Sequence, residues 1–317
     1  MNLIKPNLFI VGAAKSGTTT LHHLLGQHPD IFLTSLKEPH FFCKDYNPDE
    51  FLPPYDKKYK DFSVKNYLSN SPLKEYHGAF IKNIDDYLEL FRESKNEAYL
   101  GEATPVYLKS ECAAKNIYEF NNESKIIIIL RNPVDRAFSQ WHAEYIAGYS
   151  NSNNFLKDCL IDFEKPHLKW GVARHYIRGG LYYQQIKRYL NFFKPEQIKI
   201  VFLEDLKESP KSLFNDILNF LELRTENIQI DYAVRRNVTM VPKNYLISKL
   251  LKFLRRNYRL RDFFPIKIRS TLRNLFLTEK TKPKAKNSDI KSLIPFLISD
   301  IQNIEKLCSR DLKHWKK

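Results

Sequence analysis

Along the chain, short runs of apolar residues alternate with segments whose apolar positions recur at helical spacing. Leu8 to Val11 predicts a buried strand, and the segment from about Thr18 carries Leu21, Leu24 and Leu25 on one helical face until His28-Pro29 ends it. Ile31 to Leu33 predicts a second short strand, Asp85 to Ser94 a helix, and Tyr99 to Glu102 another strand. Lys125 to Leu130 is the clearest strand: β-branched residues occupy consecutive positions, which requires cover on both faces of a parallel sheet. A helix follows Arg131-Asn132-Pro133, then a helix over about Leu181 to Phe193, a strand over Ile198 to Phe202 and a helix over about Pro210 to Leu221. Asn47 to Ser71, rich in proline, lysine and tyrosine, reads as an irregular surface excursion. Strands alternating with helices predict an α/β fold, a P-loop-like doubly wound parallel sheet flanked by helices, with ligands at the carboxyl ends of its strands.

Composition narrows this picture little, and charge somewhat more. At 317 residues, one domain is favoured, with a core over about 5–230 and a basic helical segment over about 231–317. Cys43, Cys112, Cys159 and Cys308 are scattered without metal-ligand spacing and read as reduced thiols. No signal peptide and no uncharged apolar run of about 18 residues is present, so the sequence predicts a cytoplasmic location. The formal charge of +15 implies an anionic partner or surface. Much of it lies between Lys249 and Lys291, read equally as helices with solvated basic faces or as a surface for an acceptor or a membrane.

Candidate chemistry starts at Gly12-Ala13-Ala14-Lys15-Ser16-Gly17-Thr18-Thr19, a loop between strand and helix start. Unpaired amides and the helix dipole make such a loop an anion site. The glycine spacing is that of a Walker loop, but Thr18 stands where the Walker lysine would be and Lys15 lies inside the loop. At the end of the isoleucine strand, Arg131 offers a planar donor fork, and Ser139 follows about two helical turns later.

The in-loop lysine resembles the 5′-phosphosulfate loop of sulfotransferases that use 3′-phosphoadenylyl sulfate (PAPS), and Arg131 with Ser139 resembles their 3′-phosphate site. Lys37-Glu38-Pro39-His40-Phe41-Phe42 resembles the E-x-H-F-F element of heparan-type members, and Gly101-Glu102-Ala103-Thr104-Pro105-Val106-Tyr107 resembles their E-K-T-P-x-Y segment, with Ala103 in place of the lysine. Arg178-Gly179-Gly180-Leu181-Tyr182 is similar to the R-G-L-Y element with one extra glycine, and Asp300-Ile301 through Leu307, followed by Asp311-Leu312-Lys313-His314-Trp315, to the closing helix and D-L-x-x-W ending of bacterial-type members.

The resemblance implies in-line transfer of a sulfuryl group from PAPS to a hydroxyl or amine of a carbohydrate or glycolipid, releasing adenosine 3′,5′-bisphosphate. Lys15 and the amides of Ser16, Gly17, Thr18 and Thr19 would stabilise the leaving phosphate. Arg131 and Ser139 would hold the 3′-phosphate, joined by Arg235, Arg236 and Lys243 from a late loop. Tyr182 either packs near the nucleotide or simply starts a helix. Glu38 is the candidate base; His40 steers the acceptor or Glu38, or is itself the base if Glu38 points away. Phe41, Glu102, Thr104 and Pro105 are candidate acceptor contacts. Neither a metal nor nucleic acid is expected. Two alternatives remain at this stage: a P-loop kinase, and a non-enzymatic polyanion-binding protein.

Overall fold

The computed structural model describes residues 5–52, 55–147, 149–150, 152–165, 168–226, 228–233, 240–242, 277–279 and 283–317. In chain order the strands are β1 (Leu8–Gly12), β2 (Ile31–Leu33), β3 (Leu36–Lys37), β4 (Tyr76–His77), β5 (Tyr99–Ala103), β6 (Lys125–Leu130), β7 (Ile198–Phe202), β8 (Met240–Pro242) and β9 (Leu277–Glu279). The helices are α1 (Thr18–Leu25), α2 (Tyr55–Lys60), α3 (Val64–Leu68), α4 (Ile84–Glu89), α5 (Ala113–Phe120), α6 (Pro133–Ala147), α7 (Phe155–Phe163), α8 (Tyr182–Leu190), α9 (Leu203–Glu208), α10 (Pro210–Phe220) and α11 (Asn287–Cys308).

The central sheet has the order β2-β5-β1-β6-β7, and its neighbouring strands pair in parallel. Its two faces explain the isoleucine run. Phe9, Val11, Ile126, Ile128 and Leu130 belong to one hydrophobic cluster, whereas Leu8, Ile10, Ile127 and Ile129 belong to another on the opposite face. Ile126 to Ile129 are all 0% exposed, so each contributes about 1.5–3 kcal/mol of burial free energy. The α/β parallel architecture predicted from the sequence is therefore present.

Three predicted segments differ. Asn47 to Ser71 is not an irregular excursion: it contains α2 and α3, and its Phe51, Tyr59 and Tyr67 are buried. Aromatic packing gives that polar-looking stretch an apolar interior, a pattern its prolines and lysines hide. The helix predicted to 94 ends at Glu89 and continues as turns. The closing helix expected across Asp300 to Leu307 is longer: α11 starts at Asn287, and its Leu293, Leu297, Ile301 and Ile304 pack into the main cluster. Most of the Lys249–Lys291 segment lies outside the described residues, although Met240–Pro242 pairs antiparallel with Leu277–Glu279. Among the described residues, no helix is long and apolar enough to cross a membrane.

Candidate active site

The anion loop follows the tip of β1. The Ala13 amide donates to the Ile129 carbonyl at 2.7 Å, anchoring the loop to β6, and the Ser16 amide turns back to the Ala13 carbonyl at 3.2 Å. The first helical bond of α1 runs from the Leu21 amide to the Gly17 carbonyl at 3.0 Å. Among the described residues, the amides of Gly17, Thr18, Thr19 and Thr20 have no backbone acceptor, the orphan donors that an anion satisfies. Gly17 is needed for its shape: its φ is 99°, and a Cβ there would lie 2.7 Å from Leu203 Cδ1.

Lys15 occupies the left-handed region at φ 69° and is exposed, with charged groups of the protein around its ammonium. Desolvation lowers its pKa below the ordinary lysine value; the carboxylates of Glu144 and Glu38 oppose this, and Arg131 and Arg136 add to it. Three sequence-predicted residues, Lys15, Glu38 and Arg131, are thus brought to one electrostatic neighbourhood.

Arg131 leaves β6 at its carboxyl end, and its Nη1 donates to the Lys15 carbonyl at 3.2 Å. Its Nε is buried and has no partner among the described residues, so a donor remains for an anion. The contact with Asp135 is 3.8 Å and faces solvent, too long and exposed to account for the side chain's position. Ser139 is buried on α6, whose first turn is capped by the Asn132 side chain accepting from the amides of Val134 and Asp135. Tyr182, at the start of α8, spends its phenol on the Arg131 carbonyl at 2.9 Å, while its pKa is raised, chiefly by burial. It supports the arginine-bearing tip. The α8 start is in turn capped by Asp300 of α11, which accepts from the amides of Tyr182 at 2.8 Å and Tyr183 at 3.0 Å.

Glu38 sits just past β3 at φ 62°, with its amide donating to the Ala103 carbonyl of β5 at 3.1 Å. Its Oε1 meets Lys37 Nζ at 3.2 Å and His77 Nε2 at 3.1 Å. Burial alone would raise the carboxyl pKa, but Lys37, His77 and His40 outweigh it and hold Glu38 well below the ordinary carboxylate range. It is ionised at neutral pH. His40, also left-handed at φ 54°, directs Nδ1 at the carbonyls of Glu38 (2.6 Å) and Ala79 (2.9 Å) and stacks on Phe80 at 4.5 Å. Of its three possible roles, the geometry supports steering the Glu38 turn. The two non-glycine left-handed residues that flank Pro39 cost about 1–2 kcal/mol each, and this packing holds them in place.

Several predicted acceptor contacts are corrected. Phe41 is buried against Tyr87, stacked at 4.3 Å, and belongs to the core. Glu102 and Thr104 are both 0% exposed; the Glu102 carboxyl accepts from Thr104 at 2.5 Å and from Tyr107 at 2.7 Å. Burial, only partly offset by these donors, pushes Glu102 up to about 7. Pro105 is buried beneath Gly12. The segment underlies the site because β5 delivers its alternate side chains into the core before the chain reaches the cleft. Arg235, Arg236 and Lys243 lie outside the described residues.

Residues that sequence reasoning did not single out complete the cleft. Arg136, Gln140 and Glu144 recur every four residues on α6 and are joined by bonds of 3.0 and 3.2 Å. Glu144 also accepts from Tyr55 at 2.8 Å and from Tyr176 at 2.6 Å, and faces Arg174 at 3.5 Å. The helical spacing was visible in the sequence, but the partners come from the start of α2 and from the distant segment carrying Arg174 and Tyr176. Lys109 Nζ lies 5.2 Å from the centroid of Trp170, and burial first, then Arg136, brings its pKa down to about 7.

A strand-loop-helix anion site, an arginine at the neighbouring strand tip and an ionised carboxylate across the cleft define a group-transfer enzyme handling a phosphate-bearing substrate. The sulfotransferase domain family matches residues 5–260, and the chain belongs to that family. Among similar proteins, the membrane-associated sulfotransferase kil1 of Dictyostelium discoideum is 24% identical over 82% of this chain and 66% of its own length. The bifunctional heparan sulfate N-deacetylase/N-sulfotransferase 1 of Caenorhabditis elegans is 26% identical over 69% of this chain but only 22% of its own length. The heparan sulfate glucosamine 3-O-sulfotransferase 6 of Mus musculus is 25% identical over 69% of this chain and 53% of its own length. The chain therefore spans less than two thirds of the length of these relatives. A crystal structure of a sulfotransferase from Alicyclobacillus acidocaldarius superposes with a TM-score of 0.67 at 27% identity, covering 99% of this chain and 100% of that one. Family membership sets aside the kinase and the purely polyanion-binding alternatives.

Proposed function

We propose that the chain transfers a sulfuryl group from PAPS to a hydroxyl or amine of a carbohydrate or glycolipid, with Glu38 as the base. The observation that carries this reading is the joining of loop and strand tip by the Arg131–Lys15 bond, which sets a lysine and an arginine on one anion cleft facing Glu38. The residues fit such a donor: the amides from Gly17 to Thr20 and the buried Arg131 Nε are polar groups awaiting an anion. PAPS, when bound, supplies the sulfuryl group and departs as adenosine 3′,5′-bisphosphate.

The chain's own residues would then divide the work. The loop amides and Lys15 would hold the 5′-phosphate and stabilise charge as it develops on the leaving oxygen. Arg131, with Ser139 on the next helix, would bind the 3′-phosphate and so favour a 3′-phosphorylated adenosine over ADP. Glu38, ionised and backed by His40, would take the acceptor's proton. The heparan-directed names among the relatives support a carbohydrate acceptor, and the site needs no metal for this scheme.

Two measurements test it. Adenosine 3′,5′-bisphosphate should raise the melting temperature where equal ADP does so weakly, because only a ligand bound to the native state shifts unfolding. Sulfuryl transfer from labelled PAPS to heparan-type glucosamine–uronate oligosaccharides, glycolipids and simple sugars should be lost in Glu38→Gln without loss of bisphosphate binding. Near-normal turnover by that variant would remove Glu38 as the base.

A further inference from the structure

Resting on the reading of a carbohydrate acceptor, we propose that Lys109 recognises an acidic substituent of that acceptor, a carboxylate or a sulfate ester. Its backbone is fixed at the mouth of the anion loop. The Leu108 amide donates to the Val11 carbonyl of β1 at 2.8 Å, and Arg188 of α8 donates to the carbonyls of Leu108 at 3.2 Å and Lys109 at 3.1 Å. The side chain is what remains for a ligand.

The Lys109 ammonium is half-buried and, among the described residues, has no hydrogen-bond or ion-pair partner; its contact is the Trp170 ring, with Nζ 5.2 Å from the centroid. A ring face attracts an ammonium but offers no lone pair for its three N–H groups. The charged groups facing it do not meet that need. Arg136 of α6 repels it, while Asp162 of α7 and Glu144 of α6 attract it without forming an ion pair. Both carboxylates are committed elsewhere: Asp162 accepts from the amides of Arg174 at 2.6 Å and Tyr176 at 3.0 Å, and Glu144 from Tyr55, Tyr176 and Gln140. Arg136 gives its Nη groups to Gln140 and to the carbonyls of His175 and Tyr176, and among the described residues no carboxylate pairs with it. His175, brought down to about 4 by burial first and Lys109 next, is neutral at pH 7 and adds no charge. Two cations without ion pairs in one partly closed neighbourhood leave a positive charge that a bound anion balances.

The place suits an acceptor. Trp170 stands parallel to His40 with ring centroids 6.2 Å apart, and His40 in turn holds the Glu38 carbonyl. Lys109 and Lys15 also share Glu144 and Arg136 as electrostatic neighbours. A reacting group at Glu38 and an acidic group at Lys109 are therefore within the span of a disaccharide. Burial leaves the free ammonium titrating at about 7, and an anion beside it raises that value, so affinity for an acidic acceptor weakens as pH rises above about 7.

The test follows sulfuryl transfer from PAPS to one glucosamine–uronate oligosaccharide prepared with carboxylates only, with O-sulfates only, or with neither. Wild-type KM should be about 10- to 100-fold lower for an acidic form than for the neutral form, the worth of a charge-assisted hydrogen bond, and the form that gains names the anion. In Lys109→Met that ratio should fall to about one. Lys109→Arg, permanently charged, should keep the preference but lose its decline above pH 7. Equal wild-type KM for all three forms, or a preference that survives in Lys109→Met, would overturn the assignment and leave the donor site and Glu38 untouched. A Lys109→Met variant that still binds adenosine 3′,5′-bisphosphate but turns over no form would place the ammonium in the chemistry and overturn it too. Wild-type protein inactive on every form would remove the carbohydrate acceptor itself, and the role of Lys109 with it.

Discussion

Arg131 reaches back from the tip of β6 and donates Nη1 to the carbonyl of Lys15 at 3.2 Å, so the residue proposed for the 3′-phosphate also holds the loop proposed for the 5′-phosphate. One side chain couples the two ends of the donor site. Its Nε stays available, and Tyr182 fixes its carbonyl from below.

Arg131→Ala should therefore weaken adenosine 3′,5′-bisphosphate binding by about 1.5–3 kcal/mol, the range for a charge-assisted hydrogen bond. ADP, lacking the 3′-phosphate, should lose less. Calorimetric titration of both nucleotides checks this; an equal loss for both would assign Arg131 to loop support alone.

Lys15→Ala should lower kcat by about 100- to 1,000-fold, the effect of removing one preorganised donor from a developing oxyanion. The fold should be unaffected, because Lys15 is exposed and belongs to neither hydrophobic cluster. Steady-state kinetics beside a thermal melt separates the two effects.

Stability should fall as pH rises through the range set by Glu102. Its native carboxyl titrates at about 7 against an ordinary 4.5, so between those values the folded state keeps a proton that the unfolded chain has released. The stability is fully present below the unfolded value and is lost on the way up, by at most about 1.4 kcal/mol per pH unit, levelling above the native value. Glu102→Gln, which can still bond Thr104 and Tyr107, should flatten melting temperature against pH between about 5 and 8. An unchanged slope in the variant would assign it to other groups such as Asp300, which burial raises to about 6.

Gly17→Ala should destabilise the protein and weaken bisphosphate binding together. The position combines φ 99° with a Cβ only 2.7 Å from Leu203 Cδ1, so the loop and α9 must both move. The left-handed conformation alone costs about 1–2 kcal/mol. A melt and a titration on one sample read both effects.

Much of this was legible in the sequence because it was local. The strand of β6 followed from consecutive β-branched residues, the anion loop from glycine spacing between an apolar run and a helix start, and the candidate arginine from its place after a strand. Loop helices α2 and α3 were missed because tyrosines and phenylalanines spread through a polar stretch carry no clean period, and bury themselves only when β3, β4 and the loop at Trp170 close around them.

The chain's own order of residues determined the parallel α/β framework, the anion loop and the positions of Lys15, Glu38 and Arg131, since these depend on neighbours in sequence. Tertiary structure alone decided which residues touch. It buried Phe41, Glu102 and Thr104 beneath the cleft, brought Glu144 toward Lys15 from two helical turns past Arg136, and set His77 beside Glu38 through a two-residue strand pair. Burial and charge pairing across tens of residues depend on the closed sheet, and no local spacing encodes them.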